Sequence, residues 1–251
     1  MGRAAALAII AVLAAQPARA EGLVLSLSSH RVQITQTYTG AELVIFGAIM
    51  RDASSAGRQG RYDVVVTASG PKGSTVVREK VRTGPIWANL SQRKFVNVPA
   101  TLAVLATREI DEVAEPILRT RYGLGLDALI VRSGPDQVED APFREALIRL
   151  KQEAGLYVED GRGVTFITPG LFRATVPVPA TAPVGTYDVT VALLSEGVQL
   201  ARESTHFEVT KVGFEQALAQ AARTRAWLYG LLTASMALLF GWMATIIFRR
   251  D

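Results

Sequence analysis

Residues 226–248 read AWLYGLLTASMALLFGWMATIIF, and Arg249, Arg250 and Asp251 follow at once. This run of 23 residues carries no charge. As an α-helix rising about 1.5 Å per residue it is roughly 34 Å long, enough to cross a hydrocarbon core of about 30 Å with some tilt. The reading is a transmembrane helix whose immediate partner is the lipid bilayer. Trp227 and Tyr229 lie at one end, where amphipathic rings prefer the headgroup level, and Arg249 and Arg250 close the other as a cytoplasmic-side signal. Inside the run, Gly230, Ala234, Ala237, Gly241 and Ala244 are spaced 4, 3, 4 and 3. That spacing puts them on one stripe, and small residues on a stripe let two helix backbones approach closely where lipid removes the hydrophobic drive. The stripe is the expected helix-packing face.

The opposite terminus suggests the orientation. Met1-Gly2-Arg3 is a short positive start, Ala4 to Ala15 is an apolar run too short to span, and Pro17-Ala18-Arg19-Ala20 ends in a small-residue cleavage pattern. The expectation is a signal peptide over 1–20, a mature chain from Glu21, a transmembrane helix over 226–248 and a cytoplasmic tail over 249–251. Such a protein sits in a bacterial inner membrane as a single-pass chain, with its bulk in the periplasm.

The charge balance follows this anatomy. The net charge of +4 comes mostly from targeting and anchor residues: residues 21–225 carry 23 basic and 22 acidic side chains. A nearly neutral domain with both signs interspersed is not a nucleic-acid binder. Cysteine is absent, which excludes disulfides, thiolate catalysis and cysteine-ligated metals.

Period-2 alternation marks strands at Leu23–Ser28, Arg31–Gln36, Glu42–Met50, Tyr62–Ser69, Thr75–Arg82 and Phe95–Val98, with turn residues between them. These make a first β portion over 21–98, read as antiparallel. From 99 to 155 the period drifts toward 3.6, a helical excursion. Pro116 must kink or split the helix over Arg108–Gly123, and Asp140 is placed to cap a helix that has Pro142 in its first turn and Gly155 at its end. Phe143, Ala146, Leu147, Leu150 and Ala154 share a face there, and Glu145 is placed to pair with Arg149. A second β portion covers 156–210, with Asp160-Gly161 as a hairpin turn and Tyr187 in the place of a tyrosine corner. Residues 211–225 read as a helical stalk. The expected fold is therefore mainly β, an immunoglobulin-like β-sandwich with a helical excursion and one C-terminal transmembrane helix, with two small sandwiches as the alternative.

No constellation for catalysis or cofactor binding emerges. His30 and His206 are the only imidazoles, and no serine lies in a nucleophile elbow. Glu109, Asp111, Glu112 and Glu115 precede Arg119 and Arg121 on a helix, the order its dipole favours, so a solvated face accounts for them better than a hard-cation site.

Several strings, among them Val44-Ile45-Phe46-Gly47-Ala48, Ile86-Trp87-Ala88-Asn89, Leu171-Phe172-Arg173-Ala174, Lys211-Val212-Gly213-Phe214-Glu215 and Gly241-Trp242, resemble an alphaproteobacterial transmembrane protein family. The resemblance implies a signal peptide, an exported domain, one C-terminal span and a permease of the sulfite-exporter type as neighbour and partner. It carries no catalytic or binding residue. The expectation is a non-enzymatic accessory or scaffold protein, alone or as a homo-oligomer beside a permease. A solute- or anion-binding or sensing module is the first rival, and an unrecognised hydrolase the second.

Overall fold

The structure, a computed structural model, describes residues 22–35, 38–50, 61–131, 140–212, 222–223 and 226–247. The expected signal peptide, most of the stalk, and Arg249 and Arg250 lie outside these. The chain forms two units, one of residues 39–209 with the chain up to Val32, the other of Gln33–Tyr38 with Thr210–Asp251.

The first unit is mainly β. A four-stranded antiparallel sheet runs β1 (Gly22–Leu27), β3 (Gly40–Met50), β10 (Leu171–Pro179), β9 (Val164–Thr168). A six-stranded sheet runs β2 (Arg31–Ile34), β12 (Val198–Lys211), β11 (Gly185–Ser195), β4 (Tyr62–Ser69), β7 (Leu102–Ala106), β8 (Tyr157–Asp160). Strands from either side of the helical excursion share both sheets, since β3 pairs with β10 and β4 with β11.

Register explains the layering. Val64, Val66, Val191 and Leu193 point from the six-stranded sheet toward the four-stranded one, where Leu43, Ile45, Phe172, Ala174 and Val176 are buried. Phe172 stands opposite Gly47, and a Cβ built there would overlap the Phe172 ring, so only glycine leaves room for it. On the other face Val65, Ala106 and Ala192 share a core with Phe95, Val98, Val113, Ile130, Leu147 and Tyr157. The central strands are thus buried on both faces, and all five residues of β7 are buried. A strand covered on both faces reads as a continuous apolar run without alternation. This is why 102–106, assigned above to the helical excursion, is a strand: a short apolar run cannot be told from buried helix by period.

The excursion proper holds α1 (Ile110–Val113), α2 (Pro116–Tyr122), α3 (Leu126–Val131) and α4 (Ala141–Glu153). Of the kink or split expected at Pro116 the chain takes the split, with the proline at the first position of α2. These helices form the crossover that returns the chain parallel to β7, so β8 pairs with β7 in parallel. Asp160-Gly161 accordingly joins two sheets and is not a hairpin turn; the Asp160 carboxylate accepts the Arg162 N–H at 2.8 Å. Asp140 makes no side-chain cap to α4, because its buried carboxylate is engaged by Arg93. Arg149 pairs with Glu153 at 3.9 Å rather than with Glu145. The buried side of α4 is centred on Leu147 and Ile148, leaving Leu150 and Ala154 exposed. Gly155 does end the helix in the left-handed region at φ 67°: its N–H reaches the Gln152 carbonyl and the Leu156 N–H that of Lys151, each at 2.9 Å.

β5 (Lys72–Thr83) and β6 (Ile86–Pro99) form a separate two-stranded sheet, much longer than the segments expected from alternation. Its base is held by buried Val77, Phe95 and Val98, and by the Arg93 guanidinium 5.5 Å from the centre of the Phe143 ring. Beyond the base, from Arg78 to Gln92, no described side chain is buried, and over Ile86–Gln92 the alternation that marks a half-buried strand is missing.

The second unit contains α5 (Ala226–Ile247).

Candidate functional site

α5 is 22 residues long and is the one helix among the described residues long and apolar enough to cross a membrane. Its described side chains are unburied, Leu238 and Trp227 at 76% and 71% exposure. At 100° per residue Gly230, Ala234, Ala237, Gly241 and Ala244 fall within an arc of about 80°. A Cβ added at Gly230 or Gly241 would meet nothing within 4 Å. The polar side chains of the helix bond to its own backbone: Thr233 Oγ1 to the Tyr229 carbonyl at 3.0 Å, Ser235 Oγ to Leu231 at 2.8 Å and Thr245 Oγ1 to Gly241 at 2.9 Å. Hydrocarbon demands this, since it offers no other partner for a hydroxyl. Trp227 and Tyr229 lie in the first turn.

In the β unit, a groove of about 600 Å³ lies on the helix-side face of the six-stranded sheet, lined by Thr67, Ser69, Lys72, Asn97, Asp188, Thr190 and Arg202 among others. Arg202 donates to the Tyr122 carbonyl at 3.2 Å, and Asn97 holds φ 58°. The groove was not legible in the sequence, because its polar residues come from five separate elements. Its floor bears on hydrolysis. Ser69, Asp188 and His206 stand opposite one another on β4, β11 and β12. In a triad the imidazole lies between nucleophile and carboxylate. Here the carboxylate is in the middle, and serine and histidine are two strand spacings, roughly 10 Å, apart. His30 is exposed and its carbonyl accepts the Glu208 N–H at 2.9 Å.

The charged groups that are buried serve the fold. Asp63 accepts Arg108 Nε at 2.8 Å and Nη2 at 2.7 Å, and Thr107 Oγ1 at 3.3 Å. This bidentate bond raises the Arg108 pKa. Burial pushes the Glu159 carboxyl above its ordinary range, with Asp127 and Asp111 adding to the rise, although the Leu126 N–H donates to it at 2.8 Å. Burial likewise raises the Tyr157 phenol, which donates to the Pro99 carbonyl at 2.8 Å, and lowers Lys151, whose ammonium lies 5.8 Å from the Tyr157 ring centre. The acidic residues at 109–115 disperse: Asp111 pairs with Arg119, and Glu112 with Arg108 at 4.0 Å. Among the described residues no three potential metal ligands gather.

The Tyr187 hydroxyl donates to the Pro183 carbonyl four residues upstream at 3.0 Å, the hydrogen bond of a tyrosine corner, and its ring stacks on Phe207 at 5.0 Å.

The family model described as "Putative transmembrane protein (Alph_Pro_TM)" matches residues 22–250. No curated protein matches significantly. Among solved structures, the chain is similar to "Crystal structure of BslA - A bacterial hydrophobin" at 13% identity and a TM-score of 0.24, covering 78% of this chain and 98% of that one. It is also similar to a family 123 glycoside hydrolase from Clostridium perfringens at 8% identity and a TM-score of 0.21, covering 76% of this chain and 28% of that one.

Proposed function

The chain belongs to that transmembrane protein family, and we propose that it is a membrane-anchored accessory protein of the bacterial cell envelope, not an enzyme. Its β unit faces the periplasm of the inner membrane, and its span packs against a multi-span permease, of the sulfite-exporter type that the sequence resemblance implies, or against a second copy. The observation that carries this reading is the surface of α5: a row of small residues on one side, open at both glycines, on a helix whose other residues are mostly Leu, Ile, Met and Phe. Purification of the tagged full chain in mild detergent tests it. A permease or a second copy should co-purify, and recovery of a lone monomer would refute the partnership.

The groove beneath Arg202 and Lys72 favours a second reading, a solute-handling module. Two cations beside Thr, Ser and Asn donors, against the single carboxylate of Asp188, suit a small anion. Isothermal titration with sulfite and sulfate would show binding lost in Arg202→Ala if this reading is right.

A further inference from the structure

The β5–β6 ribbon stands out by charge, exposure and support. Residues 72–99 contain six basic side chains and one acidic, in an otherwise net-acidic β domain. From Arg78 to Gln92 no described side chain is buried. Arg78, Glu79 and Lys80 border a groove with α4, but beyond Lys80 the ribbon has no layer beneath it; such a ribbon is marginal in water, so this length of it implies a surface to lie against.

The tip supplies the apolar part. Ile86, Trp87 and Leu90 are 63%, 68% and 65% exposed around the turn at Gly84 and Pro85. Arg78, Lys80 and Arg82 alternate onto one face of β5, and register places Trp87 opposite Arg82 and Lys94 opposite Val76. None of the ion pairs among the described residues engages Arg78, Lys80 or Lys94. Three apolar side chains led by a tryptophan, with uncompensated cations behind them, match an anionic bilayer interface: rings at headgroup depth, ammonium and guanidinium groups on phosphates.

We propose that the β5–β6 hairpin is a second membrane contact, inserting Ile86, Trp87 and Leu90 into the anionic lipid interface of the membrane in which α5 anchors the chain. The inference rests on that anchoring, which the test reads separately.

The chain has three tryptophans, so each is isolated by two replacements. Full-length Trp227→Phe/Trp242→Phe, reporting Trp87, and Trp87→Phe/Trp242→Phe, reporting Trp227, are reconstituted into phosphatidylglycerol-rich or phosphatidylcholine vesicles containing shallowly brominated lipid. Trp227 should be quenched in both, confirming anchoring. Trp87 should be quenched comparably in the anionic vesicles only. Adding Lys80→Glu, Arg82→Glu and Lys94→Glu, all exposed positions, should abolish Trp87 quenching while far-ultraviolet circular dichroism stays unchanged. Absence of Trp87 quenching while Trp227 is quenched overturns the proposal. So does equal quenching in neutral lipid, and so does a concentration-dependent blue shift without quenching, which would assign the tip to a second copy.

Discussion

Replacing Ala237 and Gly241 with Leu separates the span's two roles, because the structure fixes what the change does within one chain. A Cβ at Gly241 meets nothing within 4 Å, so the monomer gains no clash. Helix propensity favours Leu over Gly by roughly 0.7 kcal/mol and disfavours it against Ala by about 0.2, and Leu promotes insertion by about 0.5 kcal/mol at a helix centre. The isolated span should therefore form and insert as well as before, or slightly better. At a packed face the sign reverses. Overpacking costs about 1–3 kcal/mol per site, so the pair should weaken association by roughly 2–6 kcal/mol, at least thirtyfold. Leu232→Ile with Leu239→Ile, on the opposite side of the helix, is the control. Crosslinking in membranes followed by immunopurification reads both variants at equal expression. Undiminished partner recovery with the stripe variant would refute the packing face and move any interaction to the β unit.

The other predictions concern the β unit, measured on the full chain in detergent. Asp63→Ala removes the acceptor of two charge-assisted hydrogen bonds; because Arg108 is one-third exposed and can turn to water, the expected cost is about 3 kcal/mol, a fall in Tm of roughly 6–12 °C. A change within 1 °C would contradict a structural role for this pair. Gly47→Ala should cost about 1–3 kcal/mol by pushing Phe172 aside, and Phe172→Ala about 3–5 by leaving a cavity. The double variant should cost measurably less than their sum, and strict additivity would mean that ring and glycine do not meet. Glu159, raised by burial, binds its proton more tightly folded than unfolded, so its contribution is full below the ordinary carboxylate range and is lost as pH rises through the raised value. Wild type should thus lose stability relative to Glu159→Gln between acidic and neutral pH; the opposite trend would refute the burial argument.

What the sequence showed and hid follows from burial. The span was legible because hydrocarbon selects an uncharged run, and β3, β4, β10 and β11 because apolar runs such as Val44-Ile45-Phe46 and alternating ones such as Tyr187-Asp188-Val189 are bounded by turn residues. β7 was hidden because Leu102–Ala106 is covered on both faces, and most of the long ribbon because its outer part is covered on neither. Asp63 stands in an apolar strand, a signal that a buried partner is needed, but Arg108 lies 45 residues away and nothing local names it. Asp140 shows the same limit from the other side: a good local cap residue is taken over by Arg93 from a distant strand.

The central claim, a β unit held outside the cytoplasm by one C-terminal span, is tested most directly by single cysteines, which the cysteine-free chain makes unambiguous. Gln152→Cys on α4 and Asp251→Cys at the C-terminus are each exposed to a membrane-impermeant maleimide in intact spheroplasts and again after lysis. The account predicts that Cys at 152 labels in intact spheroplasts and that Cys at 251 labels only after lysis. Labelling of 251 with protection of 152 would contradict it.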